Sequence, residues 1–544
     1  MYYFLAHVLN EASKPHNKAA YSLIEEHISR LTHQALGDLH AILVRHIRRH
    51  LTWVCTKPEP PPDPAQSLVM GLANTLNSIH LLVKIVKVSY NAAEASGSGK
   101  GGGPAFLDDV GTMLDQVTGF FELSRPVWVK TSQSKALRRL APTLEHLNGF
   151  LPKELIAKKV FNLMGKLSVY APGGGASSES LLLDKLLLLR HIVRGYVFQD
   201  PDGRATLVPM LVDLLGGHLR SMGAPRHLAV SVLNDCFNLV QQDQTSRPNE
   251  FQDAVQHLSG LMSELLSAVE SVLPDDGDLS ADDDASNNNS SEMKALEDAM
   301  KRDAENREGS GDSSGSGSLV AFKPVSDAAT ALLTLVHLQG CCADATVMDT
   351  NVAHLRGLLS ATGQLMKAEV FPADWLVMTM LQYQVTLQIL NFAAGQLNAA
   401  GFLGVQDIRA STADGLLNPD ECDAIFFVVG LTLLRQESLD IESLSPARKD
   451  FILKVGKYGD LRAKVVEVLQ MRWANVDVAK RGQKAMTDLM VKPLLELVSS
   501  SSKDVVSVLV CQCDCSARSA SPRIRGIQKR LYQKHGSGPS ELIL

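Results

Sequence analysis

The chain has 544 residues, of which 45% are hydrophobic and 21% are charged, and its formal net charge is −6. This length exceeds one compact core, so the chain holds several domains or is a solenoid whose units bury their apolar faces on one another. The small net charge argues against nucleic-acid binding by bulk electrostatics. Aromatic residues make up only 5%, and this favours packed helices over β-sandwiches.

Three apolar stripes with helical spacing occur along the chain. The first comprises Leu72, Leu76, Ile79, Val83 and Val86, the second Leu258, Leu261, Leu265, Val269 and Val272, and the third Leu376, Met380, Tyr383, Leu387 and Leu390. Each stripe marks the apolar face of a helix that another element must cover. No clear alternating pattern predicts a strand. We therefore predict an all-α fold, and the recurring helix pairs favour an irregular armadillo- or HEAT-like α-solenoid over a globular bundle.

Breaks in the helical pattern divide the chain. Shorter breaks are the proline-rich residues 57–64, the Gly/Ser-rich residues 96–104, residues 172–178, and a turn at residues 200–203 that precedes a predicted helix over 204–218. The largest break, residues 274–318, is first acidic and then rich in Gly and Ser, which predicts a disordered linker. We predict a helical block over 1–273, this linker, a second helical block over 319–512, and a basic, disordered tail over 513–544.

The Gly/Ser-rich segment around Lys100 resembles a phosphate-binding loop only superficially. The P-loop pattern requires Gly where Glu94 stands, and Ser or Thr where Gly101 stands. No predicted strand precedes it. A flexible linker is the better interpretation.

Two groups of candidate metal ligands also give only weak evidence for a metal site. His46 and His50 are one helical turn apart, but Arg45, Arg48 and Arg49 on the same helix oppose a cation, so a solvated basic face is favoured. Cys511, Cys513 and Cys515 alternate without a second ligand pair, and the eight cysteines form no disulfide framework. Free thiols in a reducing compartment are expected, and Cys341 and Cys342 are interpreted as packing residues. We predict no catalytic residue, no metal site and no cofactor.

Three short blocks in the second half fit helix ends and helix starts. They are Val370-Phe371-Pro372-Ala373-Asp374-Trp375, Arg435-Gln436-Glu437-Ser438-Leu439-Asp440-Ile441-Glu442, and Lys457-Tyr458-Gly459-Asp460-Leu461-Arg462. Pro372 and Asp374 suit the first turn of a helix, and Trp375 is predicted to be a buried anchor. Gly459 suits a helix terminus, and Asp460 is predicted to cap the next helix.

These blocks, in this order and spacing, resemble the helical middle region of the dedicator of cytokinesis (DOCK) family of exchange factors for Rho-type GTPases. Within these blocks, the resemblance rests on ten structural motif residues: Pro372, Asp374, Trp375, Gln436, Glu437, Ser438, Tyr458, Gly459, Asp460 and Arg462. The similarity is strongest over 352–496 and weaker upstream. It is nearest the Rac-directed subgroup, and the family's DHR-1 and DHR-2 domains have no counterpart in the sequence.

The resemblance implies a non-catalytic scaffold in small-GTPase signalling and actin remodelling, with a Rho-family GTPase and an ELMO-type adaptor as partners through regions outside this sequence. We expect a cytoplasmic protein without a transmembrane segment, which reaches the plasma membrane only by recruitment. Whether it forms a homodimer is left open. The alternative hypothesis is a free-standing α-solenoid adaptor that binds a peptide or helix.

Overall fold

The fold is known from a computed structural model. The model describes residues 2–30, 39–56, 66–95, 103–121, 127–149, 151–167, 176–221, 223–273, 324–343, 346–349, 351–368, 370–371, 375–403, 419–436, 445–450, 452 and 460–475. The predicted linker over 274–318, the tail over 513–544 and the Gly/Ser-rich segment around Lys100 lie outside these residues. The described residues contain no β-strand, only an isolated bridge between Asn148 and Leu151, and the predicted all-α fold is confirmed.

The chain divides into two compact units, with a first boundary between Glu264 and Leu265, and the second unit comprises Leu265–Asp275 and Pro324–Leu544. The helices of the first unit are α1 (Tyr2–Ala12), α2 (Lys18–Arg30), α3 (Leu39–Thr56), α4 (Gln66–Asn77), α5 (Ile79–Ala95), α6 (Gly103–Phe120), α7 (Val127–Leu147), α8 (Lys153–Lys166), α9 (Ala176–Arg194), α10 (Tyr196–Gln199), α11 (Pro201–Leu219), α12 (Ala224–Gln242) and α13 (Pro248–Leu258). Helix α14 (Met262–Glu270) contains the boundary.

The helices of the first unit stack in two layers. In one layer α3 packs on α6, α6 on α8, α8 on α11, and α11 on α13. In the other layer α5 packs on α7, α7 on α9, and α9 on α12, while α1 packs on α4 near the start of the stack. Each helix thus buries its apolar face mainly on the next helix of its own layer, as in α-solenoids.

Ion pairs connect successive helices of both layers in the first unit. Lys159 of α8 binds Asp115 of α6 at 2.6 Å, and Arg138 of α7 binds Asp184 of α9 at 2.7 Å. Arg190 of α9 contacts Asp235 of α12 at 3.0 Å. The partners are 44, 46 and 45 residues apart in sequence, within the length of a HEAT or armadillo repeat. A repeat without a sequence motif is therefore visible in the spacing of its charge pairs.

The first predicted stripe belongs to two helices rather than one. Its residues Leu72 and Leu76 lie on α4, and Ile79, Val83 and Val86 lie on α5, all buried. The helix is interrupted at Ser78, whose hydroxyl donates a 2.7 Å hydrogen bond to the carbonyl of Asn74. Such bonds from Ser to the preceding turn compete with the helix ladder and bend it.

The predicted turn at residues 200–203 is the beginning of α11. The helix starts at Pro201, and the side chain of Asp200 accepts a hydrogen bond of 3.4 Å from the backbone N–H of Gly203. Asp200 is thus the N-cap, and Pro201 takes the first helical position, where its missing N–H costs nothing. The predicted helix over 204–218 is correct in its interior, but the helix in the structure begins three residues earlier, at Pro201.

The second unit contains the remaining helices. They are α15 (Pro324–Cys341), α16 (Thr346–Asp349), α17 (Leu355–Lys367), α18 (Leu376–Leu403), α19 (Pro419–Leu434), α20 (Pro446–Asp450) and α21 (Leu461–Ala474). The 28-residue helix α18 is central, because it packs against α15, α17, α19 and α21. Four of its predicted stripe residues, Met380, Tyr383, Leu387 and Leu390, are buried, whereas the first, Leu376, is half-buried.

Candidate functional site

A buried charge network joins three helices of the second unit. Arg472 of α21 donates two hydrogen bonds to Asp423 of α19, from Nε to Oδ1 and from Nη2 to Oδ2, both 2.7 Å long. Its third nitrogen, Nη1, donates to Oδ1 of Asn398 on α18 at 2.6 Å. The side chains of Arg472 and Asp423 are 2% and 4% exposed. This Arg472 network thus contains an almost fully buried ion pair.

The sequence places Arg472 in the apolar face of α21. Val465 and Leu469 are buried, and Arg472 follows them at helical spacing on the same face. Helices α19 and α21 approach closely at Gly430, where an added Cβ would lie 2.6 Å from Cδ2 of Leu469. An arginine within an apolar stripe is a signal that the sequence analysis missed, together with its partners Asp423 and Asn398.

The network is suited to holding helices together. A charge that is buried without a partner costs several kcal/mol. The bidentate pairing of Arg472 with Asp423 satisfies both groups and fixes their geometry. Next to Asp423, burial raises the pKa of the Cys422 thiol to about 11, so this cysteine is an unreactive thiol at neutral pH. The site therefore has the chemistry of a helix junction.

Gln436 makes a second link between α18 and α19. Its Oε1 accepts a hydrogen bond of 3.2 Å from the Tyr383 hydroxyl, and its Nε2 donates to the carbonyl of Thr432 at 3.4 Å. Gln436 lies just after the end of α19, whereas Tyr383 lies within the buried stripe of α18. This motif residue therefore ties the end of one helix to the middle of another.

Asp460 caps α21, as predicted. Its Oδ1 accepts a hydrogen bond of 3.1 Å from the backbone N–H of Ala463. The capped helix then presents Val465 and Leu469 to the core. Arg462 is half-buried in the first turn of the same helix.

Trp375 is half-buried, and the prediction of a fully buried anchor is wrong. The residue immediately precedes α18, and its carbonyl accepts hydrogen bonds from the backbone N–H of Thr379 at 3.0 Å and from the Thr379 hydroxyl at 3.2 Å. The first turn of α18 is only partly covered: Leu376 is half-buried, Val377 is exposed, and Met380 is the first buried residue of the helix. The other motif residues, Pro372, Asp374, Glu437, Ser438, Tyr458 and Gly459, lie outside the described residues.

The histidine pair of α3 packs against aromatic rings. The ring of Tyr2 is stacked on His46 and His50, with centroid distances of 5.1 and 5.5 Å. His50 is buried, and burial, together with His46 and Arg49, lowers its pKa. The predicted solvated basic face is therefore correct for the exposed Arg45 and Arg49 but wrong for His50.

Two kinds of feature are absent from the described residues. Within the described ranges, no three His, Cys, Asp or Glu side chains are grouped so that they could hold a metal ion. No helix there is both long enough and apolar enough to span a bilayer. Cys341 and Cys342 are half-buried at the end of α15, and Cys511, Cys513 and Cys515 lie outside the described part.

The second unit is similar to a known family. Residues 347–512 match the family model for the dedicator of cytokinesis (DOCK) TPR region. The matched segment includes α17 to α21, and hence the Arg472 network, the link from Tyr383 to Gln436, and the Asp460 cap. The helix junction described above is thus part of a segment similar to the helical TPR region of DOCK proteins.

Proposed function

We propose that the chain belongs to the DOCK family and is the helical scaffold segment of a guanine-nucleotide exchange factor for Rho/Rac small GTPases. The match of residues 347–512 to the DOCK TPR region is the observation that supports this proposal most directly. In this role the chain acts in small-GTPase signalling and actin remodelling, and it does not itself catalyse nucleotide exchange. The Rac-directed subgroup is the proposed relationship within the family.

The packing of the helices suits a scaffold. In the first unit, ion pairs connect neighbouring helices of each layer, and in the second unit the buried Arg472 joins α18, α19 and α21. Each helix is thus positioned by its neighbours, and a stack of this kind transmits a fixed spacing along its length. The proposed task is to hold a membrane-binding module and an exchange module at a defined separation.

The proposed partners and location follow from the same similarity. The partners are a Rho-family GTPase and an ELMO-type adaptor, which bind regions of the exchange factor outside this sequence. The proposed location is the cytoplasm, with recruitment to the plasma membrane through the membrane-binding module. None of these contacts requires a cofactor or a metal ion.

The transcript beyond the codon for Leu544 tests the proposal. We expect transcripts of the gene to continue in frame into an exchange domain, because the helical segment positions that domain. If every transcript stops after Leu544, and the gene encodes no exchange domain, the proposal fails. The free-standing adaptor would then be the better account.

A further inference from the structure

His80 of α5 is a buried histidine with no hydrogen-bond partner in the described part of the chain. Its side chain is 1% exposed, and neither Nδ1 nor Nε2 is bound by a described residue. Burial, followed by the nearby charges of Arg139, His146 and Lys84, lowers the pKa of His80 well below 6.5, so the ring is neutral at neutral pH. Unpartnered buried polar groups are costly, and an unfilled ion or water site is a common cause.

Basic residues of α5 and α7 line one seam between these two packed helices. On α5, His80, Lys84 and Lys87 are four and three residues apart and therefore share a face. On α7, Arg139 and His146 are two helical turns apart and also share a face. Arg139 acts electrostatically on His80, and Lys84 and Lys87 act on His146, so the two faces meet. We call these five residues the basic seam.

Positive charge exceeds negative charge in the basic seam. Lys84 binds the carboxylate of Glu25 on α2 at 2.8 Å. Lys87 and Arg139 each donate to a backbone carbonyl, at 2.5 and 2.9 Å, and neither forms an ion pair with a carboxylate of the described residues. Burial lowers the pKa of both groups. Two cations at a helix interface thus lack a compensating negative charge, which is unfavourable.

Helix α2 covers part of the basic seam. The ring of Tyr21 stacks on His80 with a centroid distance of 6.0 Å and an interplanar angle of 17°. Glu25, one turn further along α2, reaches Lys84. Among the described residues of α2, Ile28 is the buried one, and Tyr21 and Glu25 are half-buried. A cover with so little buried apolar area opens more readily than the helices of the stack.

We propose that the basic seam binds a small oxyanion of the phosphate class beneath α2. Arg139 and His80 contact the anion: the guanidinium provides a fork of donors that suits phosphate oxygens, and the imidazole donates a ring N–H. His146, Lys84 and Lys87 lie along the same seam and add polar or positive groups around it. A dianion balances the two uncompensated cations, and it gives His80 the partner that its burial requires.

Charge argues against the other occupants of the basic seam. A metal ion would be repelled by three permanent cations. A water molecule could bond to His80, but it would leave the charges of Arg139 and Lys87 without compensation. The phosphate group could be a free ion or part of a phosphorylated side chain of a partner protein, and both sources offer the same oxygens. This site is independent of the proposed scaffold role.

Isothermal titration calorimetry of the full 544-residue chain tests the proposal. The probe is potassium phosphate, titrated against a potassium chloride background of equal ionic strength. We expect saturable binding, weakened about tenfold or more by Arg139→Met and by His80→Phe. The control Arg194→Met removes an arginine of α9 whose partner Asp235 keeps Arg190, and it should bind phosphate normally.

Two further measurements separate folding and ligand source from binding. Circular dichroism should show unchanged helicity for each variant. A variant that loses helicity is replaced by Arg139→Lys, which keeps the charge, loses the fork of donors and should still weaken binding. A phosphoserine peptide is titrated in parallel: tighter binding of free phosphate supports a free ion as the natural ligand, and tighter binding of the peptide supports a phosphorylated partner.

Hydrogen exchange tests the position of the site. Phosphate should slow amide exchange in α2 of the natural chain and leave it unchanged in Arg139→Met, because the bound anion lies beneath this helix. The proposal is overturned if neither phosphate nor the phosphopeptide binds in a saturable manner. It is also overturned if Arg139→Met and His80→Phe bind phosphate as tightly as the natural chain does, or if Arg194→Met weakens binding as much as they do.

Discussion

Arg472 and Asp423 lie on different helices of the second unit and share two parallel hydrogen bonds of 2.7 Å, with both side chains almost fully buried. The third nitrogen of Arg472 extends the pairing to Asn398 on α18. A buried ion pair of this geometry is costly to break from one side only, because the remaining charge stays in an apolar environment. The helix junction therefore depends on both partners.

The first prediction concerns this pair. Arg472→Met should lower the free energy of unfolding of the second unit by about 3–5 kcal/mol, because it leaves the Asp423 carboxylate buried without its partner. The double variant Arg472→Met/Asp423→Leu should recover most of that loss, since no charge is left behind. Urea denaturation of the two variants checks both statements. Equal losses in the single and double variants would mean that side-chain volume, and not charge pairing, matters at this junction.

The second prediction concerns the cap of α21. Asp460→Ala should destabilise the second unit by about 1 kcal/mol, because the backbone N–H of Ala463 loses its side-chain acceptor. Glu467→Ala, at an exposed position within α21 itself, is the matched control and should have a smaller effect. Thermal melts of both variants provide the measurement. Indistinguishable melting temperatures would contradict the capping role.

The third prediction compares two glycines of α11. A Cβ at Gly203 would lie 2.1 Å from the carbonyl oxygen of Val197, whereas nothing lies within 4 Å of a Cβ at Gly217. Gly203→Ala should therefore destabilise the first unit, because the backbone at Val197 or Gly203 must move to make room for the new Cβ. Gly217→Ala should stabilise it by about 0.5–1 kcal/mol, since alanine loses less entropy in a helix. Chemical denaturation should show opposite signs, and a loss of stability in both variants would refute the prediction for Gly217.

The fourth prediction concerns pH. Burial, followed by the charges of Lys84 and Lys87, lowers the pKa of His146 from 6.5 to about 4. The unfolded chain therefore takes up this proton at a higher pH than the folded chain. The contribution of neutral His146 to the free energy of unfolding is therefore complete above pH 6.5, and it is lost as the pH falls towards 4. Across this window, the stability of the His146→Gln variant should decline less steeply than that of the natural chain. Parallel declines in urea denaturation would contradict this effect.

Much of the fold follows from apolar spacing. The stripe from Met380 to Leu390 correctly predicted the buried face of α18, and Asp460 was correctly identified as a cap. Spacing alone did not reveal the break at Ser78, because the residues on both sides of it are buried in the same pattern. At the break, the Ser78 hydroxyl bonds to the carbonyl of Asn74 in the preceding turn.

The helix junction was harder to predict from sequence. Arg472 interrupts an apolar face, which is a visible signal, but its partners Asp423 and Asn398 are 49 and 74 residues away. Only the packing of α18, α19 and α21 brings them together. The half-buried position of Trp375 was likewise not visible from spacing, because the first turn of α18 is only partly covered and Met380 is its first buried residue.

The central claim is that the chain positions other modules and does not catalyse exchange itself. Nucleotide release from Rac loaded with a fluorescent guanine nucleotide tests this claim most directly. With the 544-residue chain added in excess, we predict that release proceeds at the intrinsic rate of Rac. Concentration-dependent acceleration of release by the chain alone would contradict the claim.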